Sequence, residues 1–581
     1  MGTTRAGKKQ RAAAADVDAD TQSDRVSRLF DEVAPLLLPL LPLDERARVA
    51  CTRKAWRAAA AQPSLWAVLN FRRCAVSVTD AKLAALCSRA GPALRTLHLD
   101  ARSCGSVKDA GLIAALRDGG CTGVQRISSC WFDFRAEGRQ PFALTPALVV
   151  QLSAACPHLA LSTFTVACKS VVEAAFAAAA LPGPLTLRIQ GDRASDRDQG
   201  VLSMLLRRSV ASLVMRGCAL SPAETTALGE ALRVNGSTLV VLDLDGNCIE
   251  PVDLSALSKA LHVNSTLRRL VMRENNIGGP GAANLGQALS VNSGLESLDL
   301  SVNDIGDDGS VALGAALRKN RTLKTLSIAG ADIGNDGLVA LSEALRTNNM
   351  LTELDISENG FDVAGLAALA DSLRVNSTLT VLTLFNNSIR AEGMALLSDA
   401  LRVNRTLTLL NLSDNSFDND GAAALAQVLR VNNTLSTLNL ANCDIGFVGA
   451  ASLGEALCVN STLTSLNLCG NYIGAAGAVW MGEALRASSS ALTELLLDGT
   501  FTDDGGAAAL GMALRLNRTL THLDLEDNDI CYDGAAALSE ALRANRTLAS
   551  LSVAGNRGMG AAGTALLKEV ALLNAKLKLY V

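Results

Sequence analysis

Aromatic residues make up only 3% of this 581-residue chain, too few to furnish stacking platforms for nucleic-acid bases. The net charge is -4, so no basic surplus draws the chain to nucleic acid. There are four histidines, His98, His158, His262 and His522, and none has a partner at metal-ligand spacing. The fourteen cysteines contain no C-x-x-C pair. Several, such as Cys104, Cys218 and Cys443, stand where a small buried residue is wanted, so reduced buried thiols are expected. No phosphate loop of the form G-x-x-x-x-G-K-[ST] and no nucleophile elbow occur. No signal-peptide pattern and no apolar run of ~18 or more residues is present. These absences lead us to expect no catalysis, no cofactor or metal, no small-molecule substrate, no nucleic-acid binding and no membrane association. They fit a cytoplasmic protein, with a nuclear location as the alternative.

What is present is a repeat. From Leu239 to Val553 one pattern recurs twelve times. The copy at Leu295 shows it: Leu295-x-x-Leu298-x-Leu300-x-x-Asn303-x-Ile305, then Gly309, Leu313, Leu317 and Asn320. The first leucine returns at a constant step, as in Leu239, Leu267, Leu295 and Leu323. The step lengthens by a single position only between Leu463 and Leu492. A fixed period of this length signals a solenoid, in which each copy packs on its neighbours. The alternation Leu298-x-Leu300 predicts a strand with one buried face. Apolar residues four apart from Gly309 to Leu317 predict a helix.

An asparagine occupies the ninth position in nine copies, from Asn247 to Asn556, and is replaced by Ala331, Cys443 and Thr500. An amide both donates and accepts, so it can satisfy backbone groups in the turn. A glycine recurs before the helix in ten copies, from Gly281 to Gly534, implying a tight approach or an unusual dihedral. Asparagine closes most helices as a cap. It creates N-x-[ST] triplets such as Asn264-Ser-Thr and Asn404-Arg-Thr, which read as repeat grammar rather than glycan sites.

The pattern resembles leucine-rich repeats of the ribonuclease-inhibitor type. The resemblance implies an α/β solenoid: a curved horseshoe with parallel inner strands and outer helices. Residues between the strand leucines then face a concave, partner-binding surface. Asp243, Asp299, Asp355, Asn411, Asn439, Asn467, Leu496 and Asp524 form one such column, and Phe385 lies beside it. Glu296, Glu353, Glu358, Glu494, Glu526 and Asp527 add negative charge, while Arg268, Arg269, Arg273 and Lys324 make a basic spot. A mildly acidic hollow suits a protein partner with basic groups, and Phe385 and Leu496 are expected there as exposed apolar anchors.

Residues 1–25 read as a disordered polar tail. In residues 26–71, Leu29-Phe-Asp-Glu-Val33, Leu40-Leu-Pro-Leu-Asp-Glu, Trp56-Arg57 and Pro63-Ser-Leu-Trp66 follow one another. This order resembles an F-box, a small helical segment. The resemblance implies that Leu29, Val33, Leu40, Leu41, Leu43 and Trp56 meet a Skp adaptor, making the chain a substrate receptor of a cullin-type ubiquitin ligase. The alternative is a helical cap on a plain binding solenoid, which needs its open end covered. Residues 72–208 hold irregular repeats such as Leu94-x-x-Leu97-x-Leu99, which resemble the cysteine-containing repeats found behind F-boxes. A bridging copy starts at Val210 and opens the regular array, residues 209–581. The register leads us to expect one continuous array from about residue 72 onward. Ran-activating proteins share this repeat type, so a small-GTPase regulator is a further alternative. Those proteins usually carry an acidic tail, whereas this chain ends Lys-Leu-Lys-Leu-Tyr-Val.

Overall fold

A computed structural model describes residues 68–70, 79–94, 96–100, 109–118, 121, 126–130, 165–168, 185–189, 210–233, 238–574 and 576–581. The adaptor-contact residues expected at Leu29, Val33, Leu40, Leu41, Leu43 and Trp56 lie outside the described residues, as does the tail 1–25. The described residues fall into two compact units, one up to Val214 and one from Met215.

In the first unit, strands β1 (Val68–Asn70), β2 (Thr96–Asp100) and β3 (Arg126–Cys130) form a parallel sheet. β1 lies within the segment 26–71 that was expected to be helical. Val68 pairs with Thr96, the same step that separates the leucines of the regular array. Strand stacking therefore reaches back into the segment read as F-box-like. Helix α1 (Asp80–Ala90) follows β1 and α2 (Asp109–Asp118) follows β2. Leu83, Cys87, Leu94, Leu97 and Leu116 are fully buried. The Cys121 thiol donates to the Cys87 carbonyl at 3.3 Å. β4 (Thr165–Cys168) and β5 (Leu185–Ile189) pair in parallel, and β6 (Val210–Met215) is where the two units divide.

In the second unit, thirteen short strands run from β7 (Val241–Asp243) to β19 (Lys578–Tyr580), each parallel to the next. The register is carried by the leucines: Leu298 faces Leu326, which faces Leu354. The one longer step appears as Ser465 paired with Glu494. A helix follows nearly every strand, as in Gly306–Leu317 after Ser297–Asp299. Leu295, Leu298, Leu300, Ile305, Leu313 and Leu317 are buried between them. Strands stack about 4.8 Å apart, whereas packed helices need about 8–10 Å. Joining the two layers therefore bends this unit toward its strand side.

Two asparagine rows tie the copies together. Asn415 is 1% exposed. Its Nδ2 donates to the carbonyls of Leu384 and Leu412, both at 2.8 Å, and of Ser413 at 3.2 Å. Its Oδ1 accepts from the N–H of Asn387 and Ile389 in the preceding copy. At the helix ends Asn404 donates to the Leu373 carbonyl and accepts from the N–H of Thr406 and Leu407. Asn264 does the same with Leu232 and Leu267. These side chains are buried, which explains the N-x-[ST] triplets as turn chemistry. In the lengthened copy that begins at Leu463, Ser489 Oγ takes over, donating to the Cys458 carbonyl at 2.5 Å.

Where the ninth asparagine is missing, the backbone answers. Gly306, Asp418 and Gly474, each in the copy before the gap, adopt φ near +60°. Their N–H groups donate to the carbonyls of Ala331, Cys443 and Thr500. Gly278 shares that dihedral although Asn303 is in place. The recurrent glycines, expected ahead of the helices, lie within their first turns and serve close approach, not dihedral freedom. A Cβ on Gly309 would collide with Ile305 Cγ2 and lie 2.9 Å from Ala282 Cβ. The left-handed position is instead the eighth of the copy. It has positive φ in all twelve copies, including the β-branched Val302 at φ 55°.

Candidate functional site

The strand face is built by its own turns. Asp299 Oδ1 accepts from the Ser301 N–H at 3.0 Å and the Ser301 hydroxyl at 2.7 Å. Asp355 does the same with Ser357 and Asn411 with Ser413. Asn439, Asn467 and Asp524 accept from the N–H two residues on, at Ala441, Cys469 and Glu526. A short oxygen-bearing side chain closing a turn two residues ahead is the usual work of Asp and Asn. The Oδ1 of each half-buried side chain is therefore committed to the fold. The rest of the group shows on the surface in a fixed orientation.

Three expectations need correction. Asp243 is 5% exposed, and its Oδ2 is held by the Arg216 guanidinium at 2.7–2.8 Å. Its carboxylate is covered by a partly exposed arginine rather than open on the face. The pairing also raises the Arg216 pKa. Phe385 and Leu496, expected as exposed anchors, are half-buried. The basic spot is partly neutralised across the strands: Glu296 meets Lys324 at 2.7 Å and Arg268 at 3.5 Å. The Lys324 hydrogen bond holds the Glu296 carboxyl below its usual range.

Negative charge gathers at the carboxyl-terminal strands. Asp498 and Asp524 are both pushed up, first by burial and then by neighbouring acids. Asp498 feels Asp527 and Glu526, and Asp524 feels Glu526 and Asp498. Such repulsion favours a cation arriving at this end of the face. His522 bonds through Nδ1 to Thr521 Oγ1 at 2.8 Å. Among the described residues no three His, Cys, Asp or Glu side chains gather to hold a metal ion. Burial pushes the thiol of Cys443 up to about 12 and those of Cys218 and Cys469 to about 11. Cys218 and Cys443 are buried in the core, and Cys469 is partly covered.

Sequence reasoning passed over a set of exposed aromatics. Tyr472 and Phe501 stack with ring centroids 5.5 Å apart and planes 14° from parallel. Both occupy the tenth position of adjacent copies, on the turn between strand and helix. Aligning the copies on their leucines is the signal that finds them. The other ten have Asn, Asp, Gly, Ser, Cys or Arg at that position.

The leucine-rich-repeat family matches ten segments of the chain: 237–258, 263–286, 291–314, 319–342, 347–370, 375–398, 403–426, 431–454, 459–479 and 516–539. No curated protein matches. Among solved structures, the actin-binding site 2 of leiomodin-1 is similar at 20% identity, covering 26% of this chain and 86% of that one, with a TM-score of 0.22. A TLR13–ssRNA13 complex is similar at 18% identity, covering 83% of this chain and 59% of that one, with a TM-score of 0.41. At these scores neither likeness bears on what this chain binds. The region spanned by the ten family matches, residues 237–539, is a leucine-rich-repeat array.

Proposed function

We propose that the protein is an interaction scaffold whose strand face receives a protein partner carrying basic groups. The observation that carries this is the register. Thirteen parallel strands present side chains at intervals of about 4.8 Å, six of them oriented by their own turn. A surface ordered before contact loses little side-chain entropy on binding. Cross-linking of the protein to partners recovered with it tests this. Cross-links should concentrate on the strand face near Asp498, Asp524 and Glu526. Cross-links confined to the helix layer would defeat the reading.

The finer reading is a substrate receptor of a cullin-type ubiquitin ligase. Its support is the F-box-like order of Leu29 to Trp66 directly ahead of the first stacked strand at Val68. On that reading Leu41 and Leu43 face a Skp adaptor while the array holds the substrate. Replacing both by Asp should abolish co-purification of the adaptor and leave thermal stability nearly unchanged. If the wild type recovers no adaptor, or the double change unfolds the protein, residues 26–71 act as a cap.

A further inference from the structure

We propose that the turn edge formed by Phe447, Tyr472, Phe501 and Tyr532 docks a protein segment in which an arginine or lysine stands among apolar side chains. This surface lies at the strand-to-helix turns. It holds whether or not the strand face binds a partner and whether or not residues 26–71 engage an adaptor.

Four consecutive copies contribute one aromatic each. Phe447, Tyr472, Phe501 and Tyr532 are 59%, 63%, 55% and 47% exposed, in a chain only 3% aromatic. The turns that carry them are fastened to one another. Tyr472 N–H donates to the Ile445 carbonyl at 2.9 Å, and Asp529 N–H donates to the Thr502 carbonyl at 3.1 Å. Gly446, beside Phe447, bridges Tyr472, and Asp503 bridges Asp529. Asp504 Oδ1 accepts from the N–H groups of Cys531 and Gly534, on either side of Tyr532 and Asp533. The rings are thus displayed on a rigid edge. Exposed aromatic rings gathered on neighbouring turns have the composition of an interaction patch.

The charge around the rings selects the partner. Asp444 and Asp529 hold the tenth position in the copies flanking the stacked pair, and Asp533 follows Tyr532. The ion pairs of this region, Arg430–Glu455, Arg486–Glu483 and Arg515–Glu540, lie on the helices or at their ends. Among the described residues none of them engages these three aspartates. An aromatic face attracts a cation lying over it, and the aspartates attract the same cation from the side. Apolar neighbours of that cation would cover the remaining ring surface. A neutral or acidic segment gains only the second contribution or is repelled.

The test is to pan a random peptide library displayed on phage against the full chain. Enriched peptides are then titrated as fluorescent conjugates against wild type, Tyr472→Ser/Phe501→Ser and Asp529→Asn/Asp533→Asn. Expected are peptides with Arg or Lys beside an apolar residue, weakened at least tenfold by the first variant and severalfold by the second, with affinity falling in high salt. Thermal midpoints should match, because the replaced groups are exposed. Four results would each overturn the proposal. They are no enrichment, enrichment of neutral or acidic peptides, unchanged binding to both variants, or self-association of the wild type that the first variant abolishes.

Discussion

Replacing Asn415 by Ala removes one buried amide and strands groups in two copies. The N–H groups of Asn387 and Ile389 lose their acceptor, and the carbonyls of Leu384, Leu412 and Ser413 lose a donor. A buried donor left without a partner costs about 1–3 kcal/mol. Two such donors, with some relief from water entering the space, give a loss of about 2–4 kcal/mol. The neighbouring copies show what tolerance would require. Where Ala331 stands in the row, Gly306 has turned to φ 62° and donates to the Ala331 carbonyl. Before Asn415 the equivalent residue is Arg390, extended at φ -105°, so that rerouting is not already in place. Ser416 is exposed, and Ser416→Ala should change stability by no more than about 0.5 kcal/mol. Urea unfolding of the two variants gives the comparison, and amide exchange at Asn387 and Ile389 localises it. Because an array can open copy by copy, the exchange measurement carries as much weight as the midpoint. Equal midpoints, or unchanged protection of the Ile389 amide, would refute the ladder as the holder of these turns.

Val302 sits in the left-handed region at φ 55°, where a β-branched residue is strained. Val302→Asn, matching Asn386 and Asn442 at the same position, should raise stability by about 1 kcal/mol, read from denaturation midpoints. Alkylation at pH 8 should label exposed Cys248 and Cys531 in the folded protein. It should reach Cys443, whose thiol is held near 12 by burial, only after denaturant is added; peptide mapping reads this. Asp498 binds its proton more tightly in the folded state than in the unfolded chain. Its ionised form therefore destabilises, and the stability it contributes when protonated is lost as pH rises above the ordinary aspartate range. Asp498→Asn should raise the urea midpoint at neutral pH, and the gain should vanish near about pH 3.

Much of the fold was legible because it repeats. A leucine returning at a constant step is buried in the same way each time, so one copy explains all. The ninth asparagine was legible for the same reason: few side chains both donate and accept within a turn. The aspartate and asparagine column was legible as a column, while the turn bonds its oxygens make were not. Periodicity says which face a residue takes, not whether its oxygen is already bonded to the next turn. Asp243 looks like Asp299 in the sequence; only the fold brings Arg216 against it.

The sequence by itself determined the copy, its period and its buried face, because those follow from backbone geometry and from which side chains leave water. Tertiary structure decided whatever depends on the neighbouring copy. The eighth position is left-handed whether it holds Gly330, Glu358 or Val302, and in each case its N–H is bonded to a carbonyl of the following copy, at Ser357, Phe385 and Ala329. The stacking of Tyr472 on Phe501 likewise exists only once two turns, a full copy apart in the chain, are set side by side by the parallel register.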